Sequence, residues 1–210
     1  MWHFWLTADL LSRILAAVLL AMSMATWVVI LWKAWVLAQA GSSVRKAVTA
    51  FWQSSEFEAG CAQAAHWDKD VGLLLQASVL PVSGTLAVAG SVRARLTRAL
   101  REALAVSSRR LQWGQTLLAS VGATAPFVGL LGTVWGIYHA LTGLGQAADL
   151  TLDQVAGPVG EALVMTAMGL AVALPAVLAY NFLGRRASAV EAELEGFAHD
   201  VLELLACREA

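Results

Sequence analysis

What this sequence has least of is charge. Only 14% of its 210 residues are Asp, Glu, Lys or Arg, against 59% hydrophobic residues, where a soluble domain carries roughly 25% charged residues. That balance excludes an ordinary soluble globular chain and points to an integral membrane protein. Cysteine is equally scarce: Cys61 and Cys207 are too few for a disulfide framework, lack metal-ligand spacing and read as reduced thiols. His3, His66, His139 and His199 are scattered along the chain, without the spacing of a metal site, and read as packing or interfacial histidines. No Gly-rich loop ends in Gly-Lys-Ser/Thr, so nothing supports ATP hydrolysis. A net charge of -1 gives no reason to expect a nucleic-acid partner. No catalytic constellation, metal site or cofactor is expected, and the chain does not read as an enzyme.

Three segments lack charge altogether: Ile14 to Trp32, Leu111 to Ala148 and Ala162 to Gly184. About 20 apolar residues cross the hydrocarbon core, so each can span, the second with length to spare. The stretch between the first two carries Lys33, Arg45, Lys46, Lys69, Arg93, Arg95, Arg98, Arg101, Arg109 and Arg110, whereas the connection between the second and third carries Asp149, Asp153 and Glu161 and no basic residue. The positive-inside rule puts the long basic loop in the cytoplasm and the short acidic one outside. The N-terminus is then periplasmic and the C-terminus cytoplasmic. A cleavable signal peptide at Ile14 to Trp32 is disfavoured, because only Arg13, offset by Asp9, precedes the apolar run and cleavage would export the basic loop. Aromatic residues agree with these limits: Trp2, Phe4 and Trp5 near the outer interface, Trp32, Trp35 and Trp113 near the inner one, and Tyr138 and Tyr180 at span ends. Lys33 is expected to snorkel to the inner headgroups.

The fold class is therefore an all-α integral membrane protein with three transmembrane helices, the second and third extending into a cytoplasmic helical bundle. Residues 1–38 hold the short N-terminus and first span, 39–110 a cytoplasmic helical loop, 111–184 the second and third spans with their short periplasmic loop, and 185–210 a C-terminal cytoplasmic helix. Within the loop, a helical piece is expected at about Ser42 to Ala65, containing Val44, Val48, Phe51 and Trp52, with a break around Pro81 and Gly84. A second helix has an apolar series Val92, Leu96, Ala99, Ala103, Val106 opposed by Arg93, Arg98, Arg101 and Glu102. No proline lies between Ser91 and Leu118, so this helix is expected to run straight into the second span. In the tail, Val190, Leu194, Phe197, Val201 and Leu204 recur at spacings of four and three, a coiled-coil-like seam. It can serve contact between subunits or packing on the loop helices of its own chain. The tail's glutamates match the loop's basic charge.

The residues that could carry chemistry lie within the spans. On the second, Pro126, Gly129, Thr133, Gly136 and Ala140 fall on one helical face, and on the third so do Ala162, Thr166, Gly169, Ala173 and Ala176. Each stripe is small residues with one threonine in it. The plain reading is close helix–helix packing; the functional reading is a polar path, since a hydroxyl both donates and accepts hydrogen bonds. Glu161 is the one carboxylate at a span margin. Gly157 and Pro158 suggest a helix N-cap and first-turn proline, which would explain Glu161 as a charge at a positive helix end. The alternative is a proton-attracting group at the outer mouth of a pore, with Thr166 about 7.5 Å deeper on a different face. No span carries a carboxylate at its centre, so proton passage would need one from a partner helix.

The stretches ATAPFVGLLGTVWGIYHAL (Ala123 to Leu141) and AGPVGEALVMTAMGLAVALPAVLAYN (Ala156 to Asn181) resemble the ExbB/TolQ/MotA proton-channel family, its ExbB branch above all. The resemblance covers the second and third spans densely and the rest only in topology and length. It implies an inner-membrane subunit that, with an ExbD-like partner, uses the proton motive force to energise TonB, which opens outer-membrane receptors for iron siderophores and vitamin B12. It implies that Thr133, Glu161 and Thr166 are pore residues, that the chain forms a homopentamer around a pair of ExbD helices, and that an ExbD aspartate is the missing carboxylate. The short N-terminus fits the shorter ExbB forms. MotA-like stators are disfavoured, since they have four spans and place their charged helices between the second and third. A TolQ-like role in envelope integrity and a non-conducting scaffold remain as alternatives.

Overall fold

The computed structural model describes residues 10–79, 90–144 and 152–208. They form six helices and no strand: α1 Leu10–Gln53, α2 Phe57–Trp67, α3 Lys69–Ser78, α4 Val92–Gln112, α5 Gln115–Leu144 and α6 Leu152–Arg208. Helices α1 and α6, and the stretch containing α5, are long and apolar enough to cross a membrane, so the all-α class with three spanning helices stands. The interface residues Trp2, Phe4 and Trp5, the loop break at Pro81 and Gly84, and Asp149 lie outside the described residues.

The chain forms two compact units. The apolar unit comprises residues 1–32 and 114–182, and the charged unit residues 33–113 and 183–210. The apolar unit is centred on Leu15, Ala16 and Leu19 of α1, Val121 and Ala125 of α5, and Met165, Ala173 and Ala176 of α6. Its outward side chains are also apolar, among them Trp27, Phe127, Val134 and Leu174; this is the pattern of a surface that meets lipid or another apolar helix rather than water.

The charged unit follows the expected seam. Val190, Leu194, Phe197 and Val201 are buried, and the Phe197 ring stands edge-on to Phe51 of α1 at 5.3 Å, so the seam packs on its own chain. Arg45 pairs with Glu193 at 2.8 Å and Arg93 with Glu203 at 2.6 Å, the match of basic loop and acidic tail that the charges suggest.

Several boundaries differ from expectation. The piece anticipated at Ser42 to Ala65 is two elements, because α1 runs unbroken to Gln53 and the chain turns at Ser54, whose N–H donates to the Phe51 carbonyl at 3.2 Å. Gly60 lets α2 fold back there: a Cβ on it would lie 3.1 Å from the Phe51 ring. Helix α4 does not run straight into the second span. It stops at Gln112, and α5 starts at Gln115 after a two-residue turn in which Gly114 has φ +80°, a left-handed conformation that favours glycine. The buried face of α4 is Leu96, Leu100, Ser107 and Leu111, whereas Val106 is 47% exposed. The helix is rotated because Ser107 is drawn inward to a carboxylate on α3.

That carboxylate is Asp70, which accepts from Ser107 at 3.2 Å and from Arg110 at 3.3 Å. Its neighbour Asp68 caps α3, accepting the N–H groups of Asp70 and Val71 at 2.9 and 3.2 Å, and takes the Ser43 hydroxyl of α1 on its other oxygen. Burial pushes the Asp70 carboxyl above the usual carboxylate range; Arg110 and Ser107 oppose this, and Asp68 adds to it. Burial likewise raises the Cys61 thiol, in keeping with an unreactive reduced cysteine.

Candidate functional site

Helices α5 and α6 carry the two small-residue stripes, and in the apolar unit the stripes meet. A Cβ on Gly129 would lie 2.8 Å from the Met165 carbonyl oxygen, and one on Gly169 2.7 Å from that of Ala125. The backbones touch there, and only glycine permits it. A Cβ on Gly136 would lie 2.8 Å from the Ala162 Cβ, and Ala173, further along α6, is buried in the core of the unit. Pro126 sits inside α5, where it withholds an N–H from the turn before it.

Next to the glycine contact stand the two threonines. Thr133 is 5% exposed, and its hydroxyl donates to the Leu130 carbonyl of its own helix at 2.7 Å. The Thr166 hydroxyl approaches the Thr133 oxygen at 3.4 Å, longer than the roughly 2.7–2.8 Å of a strong O–H···O bond. Two hydroxyls from different helices thus share one spot in an otherwise apolar interface, with Thr166 half-buried and open on one side.

Glu161 does not join them. Five residues before Thr166, it is turned by roughly 140° around the helix, and it is exposed on α6 while Ala162 and Met165 are buried. The structure also removes the helix-end explanation for it. Helix α6 begins at Leu152, not at Pro158, which lies inside it, so Asp153 and Glu161 belong to the helix rather than to a loop. Glu161 is nine residues beyond that start, past the first turn in which the helix dipole acts. What places a carboxylate on this exposed face is therefore not capping.

The polar residue just past the first uncharged run has a different environment from the one expected. Lys33 is 1% exposed and does not snorkel; its ammonium donates to the Leu111 carbonyl at 2.8 Å and the Trp113 carbonyl at 2.9 Å. It sits on the last carbonyls of α4, where a helix presents orphan acceptors and partial negative charge. The uncharged run that ends at Trp32 pointed to a membrane edge, and only the turn at Trp113, invisible to periodicity, supplies the partner. Among the described residues no group of His, Cys, Asp and Glu could hold a metal ion.

Residues 68–196 match the MotA/TolQ/ExbB proton channel family. A biopolymer transport protein ExbB of Xanthomonas campestris pv. campestris is 60% identical over 109 residues, 52% of this chain and 43% of that protein. An ExbB of Neisseria gonorrhoeae is 57% identical over 102 residues, 49% of this chain and 46% of that protein; these matches span less than half the length of either relative. The Tol-Pal system protein TolQ of Pseudomonas aeruginosa is 30% identical over 212 residues, 98% of this chain and 92% of that protein. With the family match covering more than half of its length, and with three helices able to span a membrane, the chain belongs to the MotA/TolQ/ExbB proton channel family.

Proposed function

We propose that the chain is an ExbB-like subunit of the bacterial inner membrane that conducts protons with an ExbD-like partner and passes the energy to TonB, for uptake of cargo such as iron siderophores and vitamin B12. The charged unit lies in the cytoplasm, the loop between α5 and α6 in the periplasm, and the subunit works as a homopentamer. The observation that carries this reading is Glu161, an exposed carboxylate on an apolar helix, displaced from the helix end that would account for it. A carboxylate turned to hydrocarbon is costly, so such a group faces water, a pore or a partner. Thr133 and Thr166 supply the polar spot deeper along the same helix pair. A hydroxyl relays a proton only to a neighbouring acceptor, and α5 has no ionisable residue apart from His139 and Tyr138 towards its C-terminal end. The ExbD-like partner supplies the mid-membrane carboxylate.

The high identity to two ExbB proteins over about half the chain favours the TonB pathway. The match to a TolQ across nearly the full chain supports the second reading, a Tol-Pal subunit with the same pore and a different partner. Thr133→Ala, Thr166→Val and Glu161→Ala are each expected to abolish energised siderophore uptake while the complex with the partner still assembles. Normal uptake by all three variants would refute the pore assignment, and failure to assemble would make these residues packing elements of a non-conducting scaffold. An adjacent reading frame for a TonB-like or TolR-like protein separates the two pathways.

A further inference from the structure

Resting on the channel reading, we infer that Lys33 is a positioning residue for proton conduction: by holding the last carbonyls of α4 it fixes where α4 ends and where α5, the helix of Thr133, begins. Hydrogen bonds hold the turn between them. Lys33 takes the Leu111 and Trp113 carbonyls, the Trp113 N–H donates to the Arg110 carbonyl at 3.4 Å, and the Gly114 carbonyl accepts from the Leu118 N–H at 3.1 Å to start α5. Gly114 adopts φ +80°, and a Cβ on it would lie 2.8 Å from a methyl of Val29, so the turn is fixed by glycine as well as by the ammonium.

No proline forces this break, since none lies between Ser91 and Leu118. Without the clamp, an uninterrupted helix through Trp113 satisfies the same carbonyls by ordinary i to i+4 bonds. The position asks for a cation. A lysine is among the residues least often fully buried, and a methionine of similar length would fill the same space without the cost of desolvating an ammonium. The carboxylate of Glu191 on α6 acts electrostatically on Lys33, while also accepting from Ser108 at 2.8 Å and Gln112 at 3.1 Å. The end of α4 is thus held by α1 and α6 together. The charge serves to choose the residue at which the helix ends.

The test uses the full chain with its ExbD-like partner in proteoliposomes, comparing wild type, Lys33→Met and Lys33→Arg. Proton flux, pentamer assembly, melting temperature and amide hydrogen exchange are measured on each. In Lys33→Met, exchange across residues 113–118 rises on the order of tenfold with residues 57–67 unchanged, and flux falls by a similar factor with the pentamer intact. Lys33→Arg, which can reach the same carbonyls, restores both. Unchanged exchange in Lys33→Met, or Met and Arg variants that behave alike, overturns the proposal, as does a flux loss that merely follows lost assembly and melting temperature. Should Lys33→Met fail to fold, Gly114→Ala attacks the same turn: raised exchange at 113–118 supports the fixed turn and unchanged exchange overturns it. A wild-type complex that conducts no protons, with the exchange difference still present, removes the channel reading and leaves the clamp standing.

Discussion

At Gly129 and Gly169 the backbones of α5 and α6 touch, whereas in the charged unit two whole rings, Phe51 and Phe197, stand between α1 and α6. In the apolar unit the surroundings are as apolar as the interface, so burying larger side chains gains little. Close approach and dispersion are what remain, and small residues supply both. In the charged unit the alternative is water, and large side chains on the seam gain by leaving it. Adding atoms should therefore harm the first unit, and removing them the second.

The largest effect is expected from removal in the charged unit. Phe197→Ala vacates a site that is 2% exposed and should cost about 3–5 kcal/mol, read as a fall in melting temperature of the purified chain. Addition in the apolar unit comes next. Gly169→Ala, although alanine is the better helix former, forces a methyl to within 2.7 Å of the Ala125 carbonyl and should cost about 1–3 kcal/mol. If it instead raises the melting temperature, the backbone contact is not what holds α5 to α6.

A smaller effect is expected at Asp70, and its sign depends on pH. With the folded-state carboxyl raised by burial, the native state holds this proton at pH values where the unfolded chain has released it. Its stabilising contribution is full below the unfolded value and declines as pH rises through the folded one. Asp70→Asn removes that decline, so the stability difference should move in the variant's favour as pH rises above the ordinary aspartate range. Parallel stability curves for wild type and variant would contradict the raised value. The smallest effect belongs to Arg45→Ala. Its partner Glu193 is an exposed pairing, worth less than about 1 kcal/mol and screened by salt.

The same contrast explains what was legible in the sequence. The three spans, the stripes of Gly129, Gly136 and Gly169, and the seam from Val190 to Val201 are periodic, and periodicity reads from one chain. What it missed depends on single polar partners. Val106 was expected inside and Ser107 was not, because one carboxylate, Asp70, reverses the face of α4. Lys33 read as a charge snorkelling to the headgroups because its acceptors are the carbonyls of Leu111 and Trp113, far along the chain. A helix-end reading of Glu161 stood beside the pore reading because Gly157-Pro158 imitates a start that lies earlier, at Leu152. The two threonines were placed on separate stripes by sequence, and their approach to 3.4 Å needed the register of two helices.

The most direct measurement of the central claim is proton flux into proteoliposomes holding the chain with its ExbD-like partner, comparing wild type with Thr133→Val, which keeps the shape and removes the hydroxyl. The account predicts a fall of at least about tenfold, the scale of losing one hydrogen bond to a charged group, with the pentamer intact. Undiminished flux through Thr133→Val would contradict it.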